Sequence, residues 1–274
     1  MIIEKLVAEV DAGQIHYFRT GTGPPLLLLH GLLGGSFCWR GNMEAFSRRH
    51  TVFAVDLPGH GENDAPCDLD CSMTAQVGRI LSLSERLNLQ EMDVVGCSWG
   101  GAIAMLLAAQ SAKVRSLVLV APVNPWSSLG LGRIRLLNGR TGEALLRIVW
   151  PFSRPLYSIA LARMYGDPGR LPPGTVEGYR SQIKRPGRVN NILNTLRCWE
   201  NDVNALRNAI PRIKARSLLI WGTRDGAVDV RSAEPLRRVL PRCELKLIEG
   251  AGHLPFEETP EEFNRLVLDF IDRQ

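Results

Sequence analysis

The segment Gly96-Cys97-Ser98-Trp99-Gly100, followed by Gly101, sets one hydroxyl where a short apolar run ends and a helix-like run begins. So tight a turn from strand into helix would make the chain collide with itself unless flanking residues lacked side chains, hence the glycines at 96 and 100. The turn would lift the serine Oγ clear of the backbone. It would also aim the positive end of the next helix at the atom the hydroxyl attacks. A serine stays a weak nucleophile until a base takes its proton. The histidines are His16, His30, His50, His60 and His253. His253 lies in Gly250-Ala251-Gly252-His253-Leu254-Pro255, just after the last apolar run, where it could reach across to Ser98. An acid must orient that imidazole and stabilise its charged form. Asp225, which follows Ser217–Trp221 through Gly222-Thr223-Arg224, fits the role; Asp229, four residues later, is its rival. Glu200 and Asp202 read as surface charges. A tetrahedral intermediate also needs two N–H donors. Trp99 should give one and Leu32 the other, with Leu33 as the alternative, from the turn His30-Gly31-Leu32-Leu33-Gly34-Gly35. His30 reads as a structural hydrogen-bonder there.

These residues need a scaffold that brings strand ends together. Residues 5–10 and 14–19 alternate around Asp11-Ala12-Gly13 as a β-hairpin does. Then come short apolar runs, Leu26–Leu29, Thr51–Val55, Asp93–Val95, Ser116–Val120, Ser217–Trp221 and Glu244–Ile248, as expected of buried parallel strands. Helical patterns fall between them at Met73–Leu89, Gly100–Ala109, Val230–Leu240 and Pro260–Ile271. The alternation predicts a doubly wound, mostly parallel sheet. It breaks over residues 124–209, which carry helical patches and no convincing strand. That stretch reads as a helical cap over the sheet's carboxyl edge, where ligands bind in such sheets. Residues 1–123 and 210–274 would form the core.

Composition excludes little else. Of 274 residues, 45% are hydrophobic and 22% charged, the balance of a folded globular chain and not of a disordered one. No apolar run approaches the length of a bilayer span, and the first residues carry acids without a signal-peptide block, so a cytoplasmic location is expected. Cys38, Cys67, Cys71, Cys97, Cys198 and Cys243 form no C-x-x-C pair and read as reduced thiols. A metal clip at Cys67 and Cys71 lacks further ligands nearby, and no metal is expected. Net charge is +5, and its placement is uneven: residues 124–209 hold 13 Lys/Arg against 5 Asp/Glu, the rest 20 against 23. Such a segment is either a solvated helical face or one that attracts anions.

Several segments together carry a resemblance. They are His30-Gly31, Asp56-Leu57-Pro58-Gly59-His60-Gly61, the turn at Ser98, Trp221-Gly222-Thr223-Arg224-Asp225, and Gly252-His253-Leu254-Pro255 with Glu258-Thr259-Pro260. In these the chain resembles, nearly end to end, the α/β-hydrolase superfamily, in its capped branch of esterases and related hydrolases. The resemblance implies an α/β-hydrolase fold and the chain order serine, acid, histidine, and His253 is the one histidine after Ser98. Ser98-Trp99-Gly100-Gly101 is similar to the turn of haloalkane dehalogenases and epoxide hydrolases, which use Asp at the position of Ser98. Alkylated serine would be an ether that water cannot readily cleave, so Ser98 implies acyl transfer. Proline iminopeptidases usually carry His-Gly-Gly-Pro-Gly, absent here, and carbon–carbon hydrolases often have Trp where Leu254 stands. The expected function is a serine carboxylesterase acting on a small-molecule ester or acyl compound. No cofactor, nucleic acid or stable membrane insertion is expected. Lactones, thioesters, amides and carbon–carbon bonds are alternative substrates of the same triad, and a ligand-binding protein of the same fold is the non-enzyme alternative. Trp126, Trp150, Tyr157, Tyr165, Tyr179 and Trp199 are candidates for pocket or core.

Overall fold

Apolar runs too short for helices and too hydrophobic for a one-sided sheet must bury both faces, and they do so side by side. A computed structural model describes residues 2–10, 13–63, 66, 68–127, 131–137, 139–149 and 154–273. Its strands are β1 (Glu4–Val10), β2 (Gly13–Thr20), β3 (Pro25–Leu29), β4 (Thr51–Val55), β5 (Met92–Cys97), β6 (Val114–Val120), β7 (Arg216–Gly222) and β8 (Cys243–Ile248). They form one sheet in the order β1-β2-β4-β3-β5-β6-β7-β8. The β1–β2 and β2–β4 pairs are antiparallel and the rest parallel. This is the α/β-hydrolase architecture, with β3, β4, β5 and β7 almost wholly buried and β1 and β8 half exposed at the edges.

The helices before the break are α1 (Met43–Ser47), α2 (Met73–Arg86) and α3 (Trp99–Gln110). Those after it are α9 (Ala233–Val239), α10 (Pro255–Glu258) and α11 (Pro260–Ile271), with α4 (Leu131–Leu137), α5 (Arg140–Ala144), α6 (Arg154–Ala162), α7 (Thr175–Ile183) and α8 (Arg188–Ala209) between β6 and β7. Among the described residues, the chain forms no strand between β6 and β7. None of the described helices is long and apolar enough to cross a membrane. Helix α3 is apolar all round and buried from Trp99 to Ala108, packed on β5, β6, α2 and α8. Each large side chain buried there contributes roughly 1.5–3 kcal/mol. A helix so placed fixes the turn at its N-terminus.

Two helical spans differ from expectation. The pattern beginning at Met73 stops at Arg86, because Asn88 takes a left-handed conformation (φ 54°) and turns the chain. The expected helix Val230–Leu240 divides into a 3-10 turn, Val230–Ser232, and α9. Pro235 has no N–H to continue a ladder back to Arg231. A third difference concerns charge. Asp202 on α8 is 4% exposed, a buried carboxyl and not a surface one, because it lies on the helix stripe of Trp199 and Leu206 that faces the core. Glu200 is exposed as expected. The described cysteines, Cys38, Cys71, Cys97, Cys198 and Cys243, form no disulfides, and Cys67 lies outside the described residues.

Candidate active site

Ser98 is the last residue before α3 and adopts φ 54°, ψ −118°, a conformation that costs a non-glycine residue roughly 1–3 kcal/mol. The surrounding backbone holds it there. Its N–H donates to Val120 O at 2.9 Å, and its carbonyl accepts from Gly101, Ala102 and Val123 N–H groups at 3.0, 3.2 and 3.0 Å. The flanking glycines are required: a Cβ on Gly100 would lie 2.3 Å from His30 O, and one on Gly96 2.5 Å from Gly100 O. Serine at a helix N-cap ordinarily turns its hydroxyl back onto the helix, but Ser98 makes no such bond. Ser98 lines a cavity of about 420 Å³.

His253 lines the same cavity. Its Nδ1 lies 2.9 Å from Asp225 Oδ2, and the Asp225 side chain is wholly buried. The other carboxylate oxygen, Oδ1, accepts from Ala227 N–H at 2.8 Å and Val228 N–H at 3.0 Å. With a proton on Nδ1 for the carboxylate, Nε2 keeps a lone pair with which to accept another. Asp229 is engaged elsewhere. Its carboxylate accepts from the Arg231 amide at 2.9 Å and pairs with the Arg231 guanidinium, whose bonds hold it below the usual carboxylate range. The structure thus joins His253 to Asp225 and not to Asp229.

A residue that sequence reasoning passed over secures the histidine loop. The buried carboxylate of Glu258 accepts from Gly252 N–H at 2.8 Å, Gly166 N–H at 3.0 Å and Asp167 N–H at 2.8 Å. The His253 amide itself donates to Met164 O at 2.6 Å. Glu258 therefore ties the loop before α10 to a turn from the segment between β6 and β7. The sequence signal was its place in Glu258-Thr259-Pro260; its partners at 166 and 167 were not foreseeable.

The turn after β3 closes with Gly34 N–H on Gly31 O at 3.1 Å, with Leu33 at φ 67°. Leu32 and Leu33 both line the cavity beside Ser98. Trp99 opens α3, where main-chain N–H groups lack partners within the helix. His30 is the bridge expected of it: Nδ1 donates to Gly31 O at 2.8 Å and Nε2 accepts from Leu57 N–H at 3.0 Å. Burial lowers its pKa and keeps the ring neutral. Behind this turn Asp56 accepts from the Ser36 and Glu62 amides at 2.5 and 2.8 Å.

Tyr157, Tyr179 and Trp199 line the cavity; Tyr165 is buried behind it, Trp126 is 39% exposed, and Trp150 lies outside the described residues. Tyr179 donates its hydroxyl proton to Glu257, which Arg40 pairs at 2.5 Å, so it serves as wall. Burial pushes Glu257 above the usual carboxylate range, with Arg40 opposing. Cys97, next to Ser98, is buried and held well above the usual thiol range, which leaves it a poor nucleophile.

Residues 24–260 match the α/β-hydrolase-fold family. The chain belongs to it. An uncharacterized protein of Mycobacterium tuberculosis is 31% identical over 94% of this chain and 80% of its own. The monoacylglycerol lipase ABHD6 of Homo sapiens is 28% identical over 92% of this chain and 77% of its own. Among solved structures, the epoxide hydrolase CorEH without ligand superposes with a TM-score of 0.86 over 99% of both chains, at 21% identity. That last likeness speaks for the fold alone. The strand-end position of Ser98, the strand-end loop of Asp225 and the loop of His253 lie along one sheet edge, at the ends of β5, β7 and β8, with β6 between the first two.

Proposed function

We propose that this chain is a serine hydrolase that cleaves carboxylic esters or related acyl compounds through Ser98, His253 and Asp225. The observation that carries the reading is the Asp225–His253 pair at 2.9 Å, with His253 lining the cavity that Ser98 also lines. His253 Nε2 takes the Ser98 proton as Oγ attacks the acyl carbon. Asp225 holds the ring in place and stabilises its positive charge. The Trp99 amide and that of Leu32, with Leu33 as alternative, hold the oxyanion. His253 then gives its proton to the leaving alcohol, and water, activated by the same ring, cleaves the acyl-enzyme. No metal or organic cofactor enters this scheme. The apolar cavity walls and the relationship to a monoacylglycerol lipase support an ester with a largely apolar acyl group.

In this reading residues 124–209 form a cap over residues 1–123 and 210–274, with Tyr157, Leu161, Met164 and Trp199 supplied from above to shape the pocket. A cytoplasmic setting is supported by the described cysteines, none of which is bridged. The test is Ser98→Ala. It should abolish turnover of a short p-nitrophenyl ester, by roughly four to six decades, together with labelling by a fluorophosphonate probe. Turnover near the wild-type rate in that variant would overturn the reading. Slow labelling of the wild type without turnover would favour a ligand-binding protein of the same fold.

A further inference from the structure

The cavity is apolar along most of its wall, yet one end is polar. Asn124 and Ser127 flank Pro125, whose carbonyl accepts from Arg207, and all four residues line the cavity. Among its described lining residues Arg207 is the one Lys or Arg side chain and there is no Asp or Glu; Asp225 is closed off behind His253. We propose that this end binds an anionic oxygen group, a carboxylate or phosphate carried by the substrate, and that Arg207 is the residue that selects it. The inference rests on the hydrolase reading above and specifies its substrate class.

Three observations support it. The first is position. Trp199, Val203 and Arg207 recur every four residues along α8, so one face of that helix gives the cavity an aromatic, an aliphatic and a cationic wall over about 12 Å. The second is a shortage of partners. Four of the arginines between β6 and β7 pair with carboxylates: Arg147 and Arg197 with Glu143, Arg154 with Glu177, and Arg170 with Asp167. Among the described residues Arg207 has no carboxylate partner; its Nη2 donates to Pro125 O at 3.2 Å. A guanidinium has five donors, so one carbonyl leaves it able to hold an anion while keeping its place. The third is proximity to the nucleophile. Pro125 is two residues from Val123, whose amide donates to Ser98 O at 3.0 Å. An extended chain covers about 7 Å in two residues, so the polar end belongs to the loop that braces Ser98 and not to a remote surface. A single substrate can therefore meet both.

The alternative is an arginine that merely faces water at the rim, and charge-matched substrates separate the two. 4-Methylumbelliferyl esters would be made at a short, a medium and a long acyl length, ending in a carboxylate, a phosphate, a neutral methyl ester or a trimethylammonium. For the best length, wild type should prefer an anionic ester over the neutral one by about two- to fivefold in kcat/KM, and the neutral over the cationic; Arg207 is exposed, which keeps the factor modest. Added salt should shrink that preference. Arg207→Gln should bring the anionic-to-neutral ratio to about one, and Arg207→Glu should invert it. Each ratio is read within one protein, so a loss of folded enzyme cancels. Whichever anion is favoured more names the group. Equal kcat/KM for anionic and neutral esters in wild type, or a ratio untouched by Arg207→Gln, would overturn the anion site and leave the triad standing. Absence of turnover for every ester, with no fluorophosphonate labelling at Ser98, would overturn both.

Discussion

The carboxyl edge of the sheet and the helices between β6 and β7 meet across the same cavity but are built by different means. At the sheet edge the positions of the proposed reactive groups are set by main chain. Ser98 is held by four backbone bonds, and Asp225 by the turn whose Ala227 and Val228 amides it receives. Across the cavity, Tyr157, Leu161, Trp199 and Arg207 enter as side chains from α6 and α8, in a segment richly charged and partly exposed. Main-chain bonds fix atoms to within the tolerance that chemistry requires, and side chains can be exchanged without moving a strand. On the proposed reading, the comparison assigns reaction type to the sheet edge and substrate choice to the helices facing it.

The sharpest way to break that division is at the acid. Asp225→Asn removes the charge opposite His253 and allows the ring the wrong tautomer. It should lower kcat/KM by about four decades, as in other triads. Asp229→Asn removes a cap from a 3-10 turn and a partner of Arg231, and should change kcat/KM by less than about threefold. Ester kinetics on both variants decide the matter. If Asp229→Asn were the more damaging, the orientation of His253 would rest on a different carboxylate from the one it touches here.

Glu258 is where the two regions cease to be separate. Its three bonds join Gly252, beside His253, to Gly166 and Asp167 of the opposite segment. Glu258→Gln keeps the shape but turns an amide NH2 toward main-chain donors. We expect kcat to fall by about ten- to a hundredfold with little change in KM, since a shift of about 1 Å in the base is enough for such a loss. Faster hydrogen exchange at the Gly166 and Gly252 amides should accompany it. Equal kcat in the variant would mean that His253 is positioned without help from across the cavity.

How much of this was legible in the sequence follows from how local each feature is. The turn at Ser98 is written in consecutive residues, and its glycines are needed for contacts that any such turn makes. Asp225 was legible for a similar reason: it follows a recognisable strand by one short loop. The early end of α2, at Arg86 rather than Leu89, depends on Asn88, a residue that enters the left-handed region readily but signals it weakly. Glu258 was legible as a motif member and illegible as a clamp, because two of its three partners lie about ninety residues away in a segment with no periodic strand to register them. Asp202 is the instructive failure. Its spacing from Trp199 and Leu206 placed it on the buried stripe of α8, but residue type was weighed above helical position.

That buried carboxyl offers a test of the other half of the comparison, since it concerns stability rather than chemistry. Asp202 lies against the start of α2, where burial raises its pKa to about 6 and the Met73 amide offsets part of the shift. An unfolded aspartate titrates near 4, so between about pH 4 and pH 6 the folded protein keeps a proton that the unfolded chain has released. Stability should therefore fall as pH rises through that window and level off above it. Asp202→Asn has no charge to bury. It should raise Tm by a few degrees at pH 8, and the difference from wild type should shrink toward zero near pH 4. Thermal unfolding of both proteins across that range measures it, and subtracting the two curves removes the titration of every other group. Because Asp202 does not line the cavity, kcat for a neutral ester at pH 8 should be the same in both proteins. A Tm difference that is constant with pH would mean that α8 gains or loses packing at this position for reasons other than charge.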